Sequence, residues 1–172
     1  MKKYQDVNST TIDKWVEDGR VYGTPISKEE YFEALKGNFK IYLTPTKPVP
    51  SNWLGNLKGK KVLGLASGGA QQMPILQALG AEVTCLDYSK KQIENERIFA
   101  SQMGYKIDLY QMDMTDKLPF EDETFDLIFH PVSNVYIKDV EPVFKECYRV
   151  LKKGGILLSG LDNGINFAFD ED

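Results

Sequence analysis

Histidine and cysteine are nearly missing from this chain: of 172 residues, one is histidine, His130, and two are cysteine, Cys85 and Cys147. Cys85 falls in an apolar strand-like run and Cys147 in a helical pattern, which is neither a disulfide framework nor a metal-ligand spacing, so both read as buried thiols and no metal site is expected. Basic runs are also missing. Lys+Arg number 21 against 25 Asp+Glu, a formal charge of -4 with no basic tail, so a polyanion finds no electrostatic footprint and nucleic acid is disfavoured as a partner. No eighteen consecutive residues are apolar and the first residues are polar, which argues against a spanning or leader segment and for a cytoplasmic protein. Repeats and low-complexity segments are absent as well. What remains is ordinary for a globular chain, 42% hydrophobic and 27% charged, long enough for one domain with a real core.

The pattern changes once, near the proline-rich stretch Thr44-Pro45-Thr46-Lys47-Pro48-Val49-Pro50. Residues 1–50 read as a helical, aromatic-rich arm with a proline-rich connector, and residues 51–172 as the main domain. In the arm, Thr11 to Asp18 reads as a short helix ended by Gly19, and Ser27 to Lys36 as a second, with Ser27 and Glu30 as a capping box and Gly37 as the stop.

From Lys60 onward strands and helices alternate. Strands are expected at Lys61 to Ala66, Glu82 to Leu86, Tyr105 to Tyr110, Phe125 to Phe129 and Ile156 to Leu158. Helices are expected at Gln71 to Leu79, from Ser89 to Met103 and from Asp139 to Leu151, the last with Val140, Val143, Phe144, Cys147 and Val150 near helical spacing. Such alternation implies parallel strands with right-handed crossovers, hence a doubly wound, Rossmann-like α/β sheet.

Ligands of these sheets bind beyond the carboxyl ends of the strands, so the residues just after each strand carry the functional reading. After the first strand come five small residues, Ala66-Ser67-Gly68-Gly69-Ala70, a tight turn that lets a ligand approach the backbone and that sets a helix N-terminus behind it. Asp87 closes the second strand about twenty residues later, where a carboxylate can accept from both ribose hydroxyls; its alternative role is to cap the following turn. Asp113 follows the third strand and can accept from an exocyclic amine such as that of adenine, or it is a solvated loop acid. His130 follows the fourth and is either a cleft residue or a packed side chain. The turn misses the G-x-G-x-x-G pattern at Ala66 and Gln71, which weakens a dinucleotide reading.

Five segments taken together, in order, resemble the class I S-adenosylmethionine-dependent methyltransferases, in particular the small-molecule type-11 group. They are Leu65 to Ala70, Leu86-Asp87-Tyr88-Ser89, Met112-Asp113-Met114 leading to Leu118-Pro119-Phe120, Phe125-Asp126-Leu127-Ile128, and Arg149-Val150-Leu151-Lys152-Lys153-Gly154-Gly155. The resemblance implies S-adenosylmethionine as cofactor and S-adenosylhomocysteine as product. It places the methionine part against Ala66, Ser67, Gly68 and Gly69, the ribose on Asp87 beside Tyr88, the adenine beside Gln92, and the adenine amine and a ring nitrogen on Asp113 and the Met114 amide. His130 would lie near the methionine end and is the one candidate for a catalytic base; no other catalytic residue is named. Methyl transfer from a sulfonium needs alignment and exclusion of water more than a base.

The implied activity is methyl transfer to a small molecule, because His130-Pro131-Val132-Ser133 lacks the signature of nucleic-acid amino-methyltransferases. Two other readings stand beside it: a non-catalytic cofactor-binding or oligomerising fragment, and a nucleotide-dependent oxidoreductase. Departures from the family pattern fall at Gly64, where an acid is usual, and at Ala66 and Ala70, where glycine is usual and where alanine is strained if φ is positive. Trp15, Tyr22, Tyr31 and Tyr42 are expected either to pack the arm or to form a lid over the cofactor. The family sheet implies strand order 3-2-1-4-5, and this chain is expected to lack the usual hairpin of strands six and seven. The strand at 156–159 would then be an apolar edge, covered by a second copy in a homodimer or by the Phe167-Ala168-Phe169 tail.

Overall fold

A computed structural model describes residues 3–162, apart from the side chain of Tyr22. In chain order the elements are helices α1 (Tyr4–Glu17) and α2 (Lys28–Leu35), strands β1 (Tyr42–Thr44), β2 (Lys47–Pro48) and β3 (Lys61–Leu65), helix α3 (Met73–Ala78), strand β4 (Glu82–Asp87) and helix α4 (Lys90–Met103). Strands β5 (Asp108–Gln111) and β6 (Phe125–His130), helix α5 (Glu141–Val150) and strand β7 (Leu151–Ser159) complete them. Local chemistry sets the boundaries. The Ser27 hydroxyl accepts from the Glu30 amide at 3.1 Å and the Glu30 carboxylate accepts from the Ser27 amide at 2.8 Å, which starts α2. The Ser89 hydroxyl caps α4 by accepting from the Gln92 amide at 3.1 Å, and Gly104, at φ 74°, ends it in a left-handed turn.

Five strands form one parallel sheet in the order β5-β4-β3-β6-β7, and β1 and β2 make a separate antiparallel pair. Side chains alternate along β3. Val62 faces a core shared with Met73, Leu76, Cys85, Phe129 and, from the arm, Ile41 and Leu43, whereas Leu63 and Leu65 face Leu86, Ile128, Val143 and Cys147. Both thiols are buried, and burial pushes that of Cys147 up to about 12.

The sheet corrects the expected order 3-2-1-4-5 without strands six and seven. Counted along the chain there are seven strands among the described residues, and β6 and β7 are present as parallel neighbours on the C-terminal side of the sheet. Two strands precede the sheet in a stretch read as a connector, because Pro48 can sit in a short edge pair that asks nothing of its missing N–H. Strand β7 also begins at Leu151, not at Ile156: Gly154, at φ 78°, shifts the register on β6 between Phe125 and Leu127 instead of ending the pairing. Of the proposed covers for this strand, the Phe167-Ala168-Phe169 tail lies outside the described residues.

Charge holds the end of the sheet away from the strand carboxyl ends. Asp126 accepts from Lys60 Nζ at 3.2 Å, Lys152 Nζ at 2.8 Å and the Lys61 amide at 3.0 Å; despite a desolvation penalty, these partners hold its carboxyl down to about 2. Arg149 has a packing role: its guanidinium bonds Glu146 and Asp122 and donates to the Leu118 and Phe120 carbonyls at 3.0 and 2.8 Å, fastening the 118–122 turn to α5.

Candidate functional site

The segments that follow β3, β4, β5 and β6 open on one cavity of roughly 850 Å³, roofed by α1 and flanked by β1. Ala66, Ser67, Gly68, Asp87, Tyr88, Gln92, Asp113 and Met114 line it, so the structure brings together eight of the ten residues picked out as cofactor-binding. Gly69 sits one residue behind the lining. His130 stays outside it: fully buried at the end of β6, its Nδ1 lies 3.1 Å from the Ser159 hydroxyl and its Nε2 has no partner among the described residues. Burial lowers its pKa to about 4, which leaves it neutral.

The small-residue turn is built against β4 and α4. Ala66 N–H donates to the Leu86 carbonyl at 2.7 Å, Gly68 N–H to Asp87 Oδ2 at 2.9 Å, Gly69 N–H to the Gln92 carbonyl at 3.1 Å and Ala70 N–H to Glu96 Oε1 at 2.7 Å. Four amides are therefore consumed by the protein itself, and none of these four is left to cradle an anion. A Cβ on Gly68 would meet Gln92 Cβ at 2.7 Å and Asp87 Oδ2 at 3.0 Å, so glycine is what allows this approach. Ala66 and Ala70 both hold positive φ, 48° and 57°, so the two departures from glycine carry strain. Gly64 has a packing reason: a Cβ there would lie 2.5 Å from the Met73 sulfur, which fills the space a side chain would need.

Asp87 uses one lone pair of each oxygen on the backbone, accepting from Gly68 through Oδ2 and from Ser89 N–H through Oδ1 at 2.8 Å. Burial raises its pKa and these amides oppose the rise. The cap and ribose roles are compatible, because each carboxylate oxygen retains a second acceptor site. Asp113 folds an Asx turn: Oδ1 accepts from the Thr115 amide and hydroxyl, both at 2.8 Å, and Oδ2 is left for a donor. The Met114 amide has no acceptor among the described residues.

Helix α1 crosses the strand ends and buries no side chain of its own. Polar clamps hold it instead. Tyr88 donates its hydroxyl to Asp6 at 2.6 Å, the Ser9 hydroxyl donates to the Tyr88 carbonyl at 3.1 Å, and Asp13 accepts from the Ser89 hydroxyl at 2.5 Å and the Lys91 amide at 3.0 Å. Asn8 reaches the Tyr136 carbonyl at 3.0 Å. Sequence reading missed these residues, although Asp6, Ser9 and Asp13 stand at i, i+3 and i+7 on one helix face and could have been marked as a polar stripe. Of the four arm aromatics, Trp15 and Tyr42 line the cavity, while Tyr31 is core, stacked on Tyr105 at 5.7 Å and donating to Gln77 at 2.8 Å. The Tyr22 side chain lies outside the described residues.

Ile41, Tyr42, Leu43, Val132, Val135 and Ile137 form an apolar part of the cavity wall. The Val132 amide donates to the Leu43 carbonyl at 2.8 Å, and the lack of a Cβ on Gly160 lets β1 approach, which fixes this wall against the sheet. No helix among the described residues is long and apolar enough to cross a membrane, and no cluster of three metal-ligating side chains occurs among them.

Comparison with known proteins agrees with this layout. A family model described as a methyltransferase domain matches residues 63–159. The chain is 47% identical over 165 residues to the uncharacterized methyltransferase YbaJ of Bacillus subtilis, covering 96% of this chain and 65% of that protein. It is 35% identical over 106 residues to the sterol 24-C-methyltransferase ERG6B of Gibberella zeae, covering 60% and 28%. Among solved structures, an S-adenosylmethionine-dependent methyltransferase from Mesorhizobium loti superposes with a TM-score of 0.54 at 26% identity, covering 62% of this chain and 48% of that one. The chain thus spans less than two thirds of the length of these relatives.

Proposed function

The chain belongs to the methyltransferase-domain family of S-adenosylmethionine-dependent enzymes, and from that premise we propose that it binds S-adenosylmethionine in the cavity beneath α1 and transfers its methyl group to a small-molecule acceptor. The observation that carries the reading is the inward direction of the turn amides beside Asp87. A pyrophosphate-bearing cofactor needs amides pointing out of such a turn, whereas a phosphate-free nucleoside needs a carboxylate for its ribose and close backbone for its tail. The donor set fits the second. Asp87 accepts from the ribose hydroxyls, Asp113 Oδ2 from the adenine amine, and the Met114 amide serves a ring nitrogen. Gln92 and Tyr88 wall the nucleoside, and Ala66, Ser67, Gly68 and Gly69 shape the methionine end.

When bound, the cofactor supplies an electrophilic methyl group on a sulfonium, open to in-line displacement. The chain's own task is to align the partners and exclude water. Helix α1 acts as the cover, held by Asp6, Ser9 and Asp13. His130, neutral and bonded to Ser159, steadies the end of β6 and is not the base. The wall of Ile41, Leu43, Val132, Val135 and Ile137 supports an acceptor with an apolar body. The 24-C-sterol chemistry named for one relative is compatible with such a wall but belongs to that protein.

Calorimetry of the full chain with S-adenosylhomocysteine, S-adenosylmethionine and NADPH tests the reading. Binding of both methionine cofactors is expected, with Asp87→Ala weakening them at least about tenfold through loss of charge-assisted hydrogen bonds. Binding of NADPH alone, or an unchanged affinity in Asp87→Ala, would overturn it.

A further inference from the structure

The fully buried carboxyl group of Glu96 has no part in the reading above. It sits on α4, one turn beyond Gln92, and reaches behind the small-residue turn to accept from Ala70 N–H at 2.7 Å. Its other oxygen, Oε2, is buried with no partner among the described residues, and so is the Tyr105 hydroxyl. Ala70 is held on its other side as well: its carbonyl accepts from the Ile26 amide at 3.0 Å and its methyl packs with Tyr31 and Phe99. Ala70 is also one of the two strained alanines, with φ 57°. A residue in an unfavourable backbone region persists only where its surroundings over-determine it, and Glu96 supplies the hydrogen bond that does so.

We propose that Glu96 is a positioning residue for the cofactor: through the Ala70 amide its carboxyl group holds the turn closed against Asp87 and Gln92, and its proton state sets how firmly. The inference rests on the cofactor reading given above. The neutral carboxyl accepts from Ala70 without placing charge in the core. Burial raises its pKa to about 8, the Ala70 amide opposes the rise because it favours the ionised form, and the Asp87 carboxylate pushes further upward. The titratable groups around it are Asp87 and Cys85 on β4, Tyr105 after α4 and Tyr31 on α2, and none of these offers a positive charge. Ionised, Glu96 accepts more strongly from the Ala70 amide but becomes a second buried anion facing Asp87 with Oε2 unpartnered, and water drawn behind the turn to solvate Oε2 outweighs that gain. The turn then loosens where the methionine end and ribose are held.

The test uses the full chain as wild type, Glu96→Gln and Glu96→Leu. It reads S-adenosylhomocysteine affinity from pH 6.5 to 9 and, without ligand, the NMR shift and hydrogen exchange of the Ala70 amide. The glutamine keeps a neutral acceptor, so it should bind within about twofold of wild type at pH 7 and remain level as pH rises, while wild-type affinity falls above about pH 8. The leucine leaves the Ala70 amide unpartnered and should bind about tenfold more weakly, with faster exchange at that amide. In wild type the Ala70 shift should titrate near pH 8 and in Glu96→Gln it should not. Leucine binding like wild type, or a glutamine variant that follows the wild-type pH curve, overturns the proposal. A wild-type chain that binds no S-adenosylhomocysteine overturns the cofactor reading instead, and the ligand-free Ala70 amide still decides whether Glu96 holds the turn.

Discussion

The sheet and helix α1 are held in place by opposite means. Val62, Leu63 and Leu65 of β3 and Ile128 and Phe129 of β6 have no exposure at all, whereas α1 buries none of its residues and is tied by hydroxyls, carboxylates and amides to the segments that form the site. The sheet is stabilised by apolar area removed from water, which is insensitive to what occupies the cavity. The helix is stabilised by directional bonds of modest net strength, many of them to residues adjoining Asp87. A cover can therefore open without disturbing the core, and anything that shifts residues 88–91 shifts the cover.

The largest effect should come from the sheet. Phe129→Ala leaves a cavity beside β6 in the core shared with Val62 and Met73 and is expected to cost about 3–5 kcal/mol, read as a lower urea midpoint for the whole chain; a loss under about 1 kcal/mol would mean that the core is looser than its burial indicates.

A pH series separates Glu96 from His130. Glu96, raised to about 8 from 4.5, keeps a proton in the fold that the unfolded chain releases, so stability should fall by up to about 1.4 kcal/mol per pH unit as pH rises from about 6.5 to 8. His130, lowered to about 4 from 6.5, is neutral in the fold while the unfolded chain takes up a proton, so its contribution is lost as pH falls from about 6.5 to 4. Between about 4.5 and 6.5 the two slopes oppose each other. Melting curves of wild type should therefore fall on the alkaline side, and Glu96→Gln should remove that fall.

Asp13→Ala breaks the comparison from the side of the helix. Loss of the Ser89 and Lys91 bonds is expected to cost about 1 kcal/mol, with faster hydrogen exchange across α1 and a melting midpoint lowered by no more than about 4 °C. Uniformly faster exchange over the sheet would show that cover and core unfold together. The smallest effect should be Ala66→Gly. Relief of φ 48° is partly offset by the added freedom of the unfolded chain, leaving a gain of about 0.5–1 kcal/mol in chemical denaturation; a loss would deny the strain.

Legibility followed the range of each interaction. The capping box at Ser27 and Glu30, the Ser89 cap of α4 and the Gly104 stop are signals between neighbours, and each was read where it stands. Helix α1 was expected only from Thr11 to Asp18, because its first turns are held by Tyr88 and Lys138, more than eighty residues away in sequence. Strand β5 was expected from Tyr105, but that ring stacks back on Tyr31 and pairing begins at Asp108. Of the site, the residues after each strand were legible as a set, because strand order sends them all to one end of the sheet. Gly64 read as a missing acid, and its packing reason, Met73, lay in the next helix.

The sequence by itself determined the alternation of strands and helices, the chemistry stationed at the strand ends and the kinship with the methyltransferases, because periodicity, capping and motif spacing are carried by near neighbours. The tertiary structure alone decided the direction of the turn amides, the closure of α1 over them, the withdrawal of His130 from the cavity and the burial of Glu96 behind Ala70. Each of these depends on which distant atom supplies a hydrogen-bond partner or excludes water, and only the packed chain settles that.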